Sequence, residues 1–245
     1  MGELIAVLSG KGGTGKTSLC AGIATALAAA GKKVLCIDCD IGLRNLDISL
    51  GMTDSGAISF ADVYRGDYHL SQAAVHRRYP NLSFLTAPLN CRAEDVDKQA
   101  FSKLLRQARK EFAYIFLDAP AGLETGFQLC AAYADRILLV TNPEPSAIRD
   151  AACTGQRLEL MGKTQIRIIV NRVREKMLDK TKRTVDDVMD EAGLPLLGIV
   201  PEDENVTLAA TFGVALQEYT RKGAAAACNR IAKRIQGLPE PVEIR

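Results

Sequence analysis

The chain has 245 residues, of which 47% are hydrophobic and 24% charged, and its formal net charge is +2. That is enough apolar material for a large core, and too little charge of either sign for a disordered acidic chain or a polybasic nucleic-acid arm. No apolar run reaches the length of a membrane-spanning helix and Met1-Gly2-Glu3 leads straight into the first apolar run, so a cytoplasmic protein is expected.

In chain order, residues 4–9 predict a strand and residues 18–30 an alanine-rich helix. Between them lies Gly10-Lys11-Gly12-Gly13-Thr14-Gly15-Lys16-Thr17, which fits G-x-x-x-x-G-K-[ST] in the strand–loop–helix setting that gives the pattern its meaning. Glycines allow a tight loop whose successive backbone N–H groups point inward, and the helix that follows adds open donors and a positive dipole end. The pattern points to a nucleoside triphosphate held by residues 12–18: Gly12, Gly13, Thr14, Gly15, Lys16, Thr17 and Ser18. Lys16 would place its charge on the β- and γ-phosphates and Thr17 its hydroxyl on Mg²⁺. Lys11 is a second lysine that phosphate binding within one subunit does not need. Its place at the start of the loop suits a side chain reaching into a partner subunit.

The next predicted strand, residues 33–38, ends in Asp38-Cys39-Asp40. A strand-end carboxylate facing phosphates can orient an attacking water or hold hydrated Mg²⁺; a pair of turn aspartates looks the same in sequence. Cys36 and Cys39 form a lone C-x-x-C with no second pair, and the seven scattered cysteines read as reduced, packed thiols. His69 and His76 lie in a polar segment and receive no role. Strands are predicted at 82–87 and 114–118 around a helix at 97–111. The second of them, Ile115-Phe116-Leu117 and then Asp118, is the layout by which a buried strand delivers one carboxylate to the water shell of Mg²⁺. Helices at 122–134, 146–161 and 181–192 alternate with strands at 136–141, 165–171 and 196–200, and one long helix is predicted over 213–236. Asn171 ends a strand with an amide able to read a purine edge, although an asparagine capping the strand-to-helix turn has the same appearance.

The rhythm of strand and helix, with strands rich in Val, Ile and Leu, predicts a doubly wound, mostly parallel sheet in a three-layer α/β sandwich, the P-loop NTPase fold. Residues 1–236 are expected to form a single domain and 237–245 a flexible tail. Ligands of such a sheet gather at the carboxyl ends of its strands, where all the motifs above fall.

The loop Lys11-Gly12-Gly13-Thr14-Gly15-Lys16-Thr17 resembles the deviant Walker A motif of the MinD/ParA class of P-loop ATPases. Residues 40–47, 120–126, 141–144 and 201–203 extend the resemblance, which runs from residue 1 to about 236. It implies ATP hydrolysis in a homodimer closed around ATP and Mg²⁺, with Lys11 contacting phosphates across the interface. It also implies that Asp40 positions water and touches the metal's shell, that Asp38 supports it, and that Asp118 is a second-shell ligand of Mg²⁺. Asn171 and Pro201 then surround adenine, and Gly122 turns its N–H toward the γ-phosphate. Partners implied are MinC-like and MinE-like regulators in division-site placement, with the dimer peripheral at the inner face of the cell membrane. A flagellar-number regulator or a ParA-type DNA or cargo-partitioning ATPase is the alternative within the class. No specific nucleic acid is expected, because Arg221, Lys222, Arg230, Lys233 and Arg234 cluster in a chain of net charge only +2. An iron–sulfur carrier on this scaffold would need a cysteine where Ala119-Pro120-Ala121 stand. The family's usual membrane device is a C-terminal amphipathic helix. Here Cys228, Ile231, Ala232 and Ile235 make a narrow stripe without large aromatics, which reads as core packing, and Glu240-Pro241-Val242-Glu243-Ile244-Arg245 offers no apolar face. Membrane binding is therefore expected to be weak unless a partner supplies the anchor.

Overall fold

Side chains alternate across each strand, and here both sides are apolar. In β1 (Glu3–Leu8), Leu4, Ala6 and Leu8 enter one packed layer and Ile5 and Val7 the other, all five buried. The computed structural model describes residues 1–89, 91–174 and 184–242. Among them the strands after β1 are β2 (Val34–Asp38), β3 (Ala74–Val75), β4 (Leu82–Leu85), β5 (Tyr114–Asp118), β6 (Arg136–Thr141), β7 (Ile166–Val173) and β8 (Leu196–Pro201). They form one sheet in the order β3-β4-β2-β5-β1-β6-β7-β8, parallel throughout except for β3, which runs antiparallel to β4.

The helices, in chain order, are α1 (Lys16–Ala29), α2 (Leu46–Leu50), α3 (Phe60–Arg65), α4 (Lys98–Glu111), α5 (Thr125–Tyr133), α6 (Pro145–Leu160), α7 (Val185–Ala192), α8 (Asn205–Thr211), α9 (Leu216–Tyr219) and α10 (Ala224–Ile235). Helices α3 to α7 cover one face of the sheet around Phe60, Phe101 and Phe127. On the other face lie α1, α2 and α8 to α10, around Phe84, Phe116 and Ile231. Local chemistry starts the amphipathic helices where the sequence allows. Asp97 accepts from the N–H groups of Gln99 and Ala100 to open α4, which then buries Phe101, Leu104, Leu105 and Ala108. Ser59 and Asp62 form a capping box for α3, and Thr184 and Asp187 one for α7. Helix α1 is buried on nearly every side because α10 lies over it, which is why its sequence is almost wholly small and apolar. No helix among the described residues is long and apolar enough to cross a membrane.

The chain passes to one side of β1 with β2 and β5 and to the other with β6, β7 and β8. That leaves a crevice at the carboxyl end of β1. The parallel register sets Asp38, Asp118 and Val7 at one level of the sheet, at the lip of that crevice.

Several expectations are corrected. The two-residue edge strand β3 was too short to leave a period, and the small helices α2, α3 and α8 lie where loops were expected. The long helix expected over 213–236 is two helices, α9 and α10. The chain between them is extended at Thr220 (φ −146°) and turns at Gly223 (φ 55°), a conformation that glycine adopts without strain. Of the helix expected over 181–192, positions 181–183 lie outside the described residues, and the helix starts at Val185 behind the Thr184 cap. The stripe of α10 is core as expected: Cys228, Ile231, Ala232 and Ile235 are all buried against the sheet and α1. Beyond it the described tail residues make polar contacts back to α10. Lys233 Nζ lies 2.9 Å from Glu240 Oε2, and the Arg234 guanidinium donates to the carbonyls of Leu197, Glu240 and Pro241.

Candidate functional site

The loop after β1 is built to leave donors open. Ser9 is buried and its hydroxyl donates to the Lys11 carbonyl at 2.8 Å, starting the turn. Gly13 (φ 78°) and Gly15 (φ 90°) take left-handed conformations. Gly15 is required twice over, since a Cβ there would stand 2.3 Å from the Asn171 amide nitrogen. That nitrogen donates to the Thr14 carbonyl at 2.8 Å, so the end of β7 props the loop from behind. Helix α1 begins at Lys16 with no side chain capping it, which leaves its first N–H groups facing the crevice. Lys16 is itself buried, 8% exposed.

Two carboxylates, Asp118 and Asp40, feel the charge of this lysine, and Asp38 stands beside Asp118 in the sheet. Burial raises the pKa of Asp118 to about 7. The neighbouring Asp38 adds to the shift, while the Thr17 hydroxyl and the Lys16 ammonium pull it back. Burial likewise raises Asp38 to about 6, although its oxygens accept from the N–H groups of Asp40 (2.9 Å) and Leu46 (3.2 Å). Those two bonds fold the segment after β2 back on its own strand end. Asp40 is half-buried and raised by that burial, with Lys16 opposing. Among the described residues the buried Asp118 Oδ1 and Thr14 Oγ1 have no hydrogen-bond partner. An orphaned buried carboxylate oxygen beside a hydroxyl and a lysine is short of positive charge. No group of three or more His, Cys, Asp or Glu among the described residues could hold a metal alone. The donors suit a hard divalent cation that takes its remaining oxygens from water and phosphate, as Mg²⁺ does.

Lys11 turns away from its own loop. Its ammonium lies 3.3 Å from Glu144 Oε2 and donates to Ser146 Oγ at 3.1 Å, both at the start of α6. Glu144 lies in the segment 141–144 that extends the resemblance, but neither it nor Ser146 was paired with Lys11 from the sequence.

Beside the loop is a cavity of about 330 Å³, lined among others by Gly15, Asn171, Pro201, Val206, Leu216 and Cys228. Arg172 sits at φ 55° and the pairing of β7 with β8 shifts register there. This bulge aims the Asn171 side chain at the loop and the cavity. Asn171 and Pro201, expected at a base, thus share one cavity wall. The amide of Asn171 also supports the loop at Thr14, 157 residues earlier, a contact that neither reading foresaw.

Other singled-out residues fall elsewhere. Cys36 and Cys39 are buried on opposite faces of the sheet, and all seven cysteines are free thiols. His69 is exposed, but His76 is buried rather than part of a polar segment. Its Nδ1 accepts from the N–H groups of Arg78 and Tyr79 while Nε2 donates to the Leu50 carbonyl at 2.9 Å. Burial lowers its pKa, opposed by Glu218, and the ring is a neutral tie between segments.

Residues 5–216 match the family model described as the CobQ/CobB/MinD/ParA nucleotide binding domain. The septum site-determining protein MinD of Synechocystis is 37% identical over 244 residues, covering 98% of this chain and 92% of that protein. Among solved structures, the MinC:MinD cell division protein complex of Aquifex aeolicus is similar at a TM-score of 0.90 and 36% identity, over 98% of both chains. The septum site-determining protein MinD of Pyrococcus horikoshii complexed with Mg-ADP has a TM-score of 0.82 at 29% identity, over 96% of both.

Proposed function

Since the chain belongs to the CobQ/CobB/MinD/ParA nucleotide-binding family, with septum site-determining ATPases as near full-length relatives, we propose that this site binds ATP with Mg²⁺ and works as a dimerisation switch. The chain is an ATPase of that family and a MinD-like regulator of division-site placement. One observation carries the site reading: the buried, unpartnered oxygen of Asp118 lies beside Lys16 and Thr17 at the foot of an uncapped helix.

The open N–H groups of the loop and of α1 cradle the phosphates, and Lys16 offsets their charge. Thr17 and Asp118, with Asp40 near them, are the residues that would hold Mg²⁺, which when bound neutralises phosphate charge and polarises the bond to be broken. Asp40 orients the attacking water, and Asp38 holds the segment that carries Asp40. Asn171 and Pro201 flank the base. Lys11 gives up Glu144 and Ser146 when two subunits close on nucleotide, and reaches the phosphates of the other subunit. The kinship with a MinC:MinD complex supports a MinC-like partner, and a MinE-like activator is proposed on the family resemblance alone. The apolar stripe of α10 is already used in the core, so this helix is not free to anchor the chain to a membrane. Co-sedimentation with anionic vesicles tests this, and strong pelleting of the ATP-bound chain alone would overturn it.

Light scattering with and without ATP tests the switch. Lys11→Ala is expected to bind ATP as a monomer without hydrolysing it, and activity of the unaltered chain is expected to rise with the square of its concentration at low concentration. Turnover strictly proportional to concentration would place the active unit in a monomer.

A further inference from the structure

One carboxylate joins the two helices that wall the cavity beside the loop. Asp203 follows β8. Its Oδ1 accepts from the N–H of Asn205 at 3.0 Å and from the Asn205 amide at 2.7 Å, and its Oδ2 accepts from the N–H of Ala224 at 2.9 Å. Asn205 is the first residue of α8 and Ala224 the first of α10. Neither helix is capped by the residue that precedes it: Glu204 and Gly223 make no side-chain bond to their helices. Asp203 therefore caps both, placing one negative charge against two positive dipole ends.

Gly223 is fitted to this carboxylate. It stands at φ 55° and ψ −125°, where a side chain is strained, and a Cβ on it would lie 2.2 Å from Asp203 Oδ2. The carboxylate fills the space that any other residue at 223 would need. Val206 and Thr207 of α8 line one side of the cavity, and Ala224 and Cys228 of α10 line another. The remaining wall comes from the ends of β7 and β8, which the sheet fixes, with Gly15, the first turn of α1 and Leu216 of α9. The gap between α8 and α10 is thus set at the point where Asp203 holds their first turns.

We propose that Asp203 is the positioning residue of the base pocket: by holding α8 to α10 it sets how much affinity the nucleoside adds to that of the triphosphate. This rests on reading the cavity as the base site. The test compares dissociation constants for ATP and for inorganic tripolyphosphate, both with Mg²⁺, in the full chain and in Asp203→Asn, Asp203→Ala and Gly223→Ala. In Asp203→Ala and Gly223→Ala the constant for ATP is expected to rise about tenfold or more while that for tripolyphosphate stays within about twofold. KM should follow the ATP constant with kcat within about twofold. Asp203→Asn keeps one acceptor oxygen and should fall between. Equal weakening of ATP and tripolyphosphate would mean general damage to the fold and overturn the proposal. So would an unchanged ATP constant in Asp203→Ala, or in Gly223→Ala should Asp203→Ala fail to fold. If the unaltered chain binds ATP no better than tripolyphosphate, the base-pocket reading itself falls and takes the proposal with it.

Discussion

The phosphate half and the base half of the site are built on different plans. The phosphate half is a continuous loop, Gly10 to Thr17, faced by two strand-end aspartates that the sheet register sets side by side. It concentrates charge out of water, and burial pushes its carboxyls above the usual carboxylate range. The base half is gathered from the ends of β7 and β8 and the starts of α8 and α10, and polar ties of ordinary strength hold it. A triphosphate needs many donors in one place, which a tight glycine-rich turn supplies locally. A base needs a slot, and a slot is made between elements. Asn171 belongs to both halves, since it lines the slot and props the loop.

Breaking the phosphate half should therefore cost most. Lys16→Ala removes a buried charge facing the phosphates, and ATP affinity is expected to fall about a hundredfold or more, measured by calorimetry. Affinity like that of the unaltered chain would dismiss the loop as the phosphate site. Asp40→Ala spares binding but loses the water-orienting carboxylate, so turnover should drop about a hundredfold while ATP-dependent dimers persist in light scattering. Normal turnover would make Asp40 a turn residue. Asn171→Ala sharpens the comparison, because both halves lose a support. Affinity for ATP and for tripolyphosphate should each fall, ATP the more, by about tenfold. An unchanged tripolyphosphate constant would show that the prop on Thr14 is idle.

The smallest effect is on stability, and it isolates the raised carboxyls of the phosphate half. Asp118 titrates at about 7 and Asp38 at about 6 in the fold, against 3.8 for a free carboxyl, so the folded nucleotide-free chain holds extra protons between those values. Raised carboxyl values favour the fold fully below 3.8, and that favour is lost as pH rises toward 7. The melting temperature without nucleotide should fall between pH 5 and pH 7.5, at about 2–4 °C for each kcal/mol in a chain of this length. Asp118→Asn should flatten the slope and raise the melting temperature at the higher pH. A slope identical in Asp118→Asn would assign it to other groups.

The same contrast decides what could be read in the sequence. The fold class, the strands from β1 to β8 apart from β3, and the whole loop were legible, because each is a run of consecutive residues with its own period or spacing. Asp38, Asp40 and Asp118 were legible as strand ends. The opening of the long C-terminal helix into α9 and α10 was not, although Gly223 stood there to mark it. Its special conformation is explained only by Asp203, which bonds the next residue, Ala224, 21 positions further along the chain. The hold of Glu144 and Ser146 on Lys11 and that of Asn171 on Thr14 span more than 130 residues each, and no local pattern encodes a pairing of that reach. His76 was misplaced for a related reason. Its polar neighbours in sequence, such as Arg77 and Arg78, turn outward while its ring turns in.

The two plans also follow one another in time. A chain is made from its N-terminus, while a domain tends to fold as a unit. Gly10 to Thr17, Asp38 and Asp118 all leave the ribosome before Asn171, and Asp203 and Gly223 come later still. During synthesis the residues that grip phosphate thus emerge long before those that wall the base, yet neither half is complete until the end: Asn171 must prop the loop, and α10 must cover the helix that follows it.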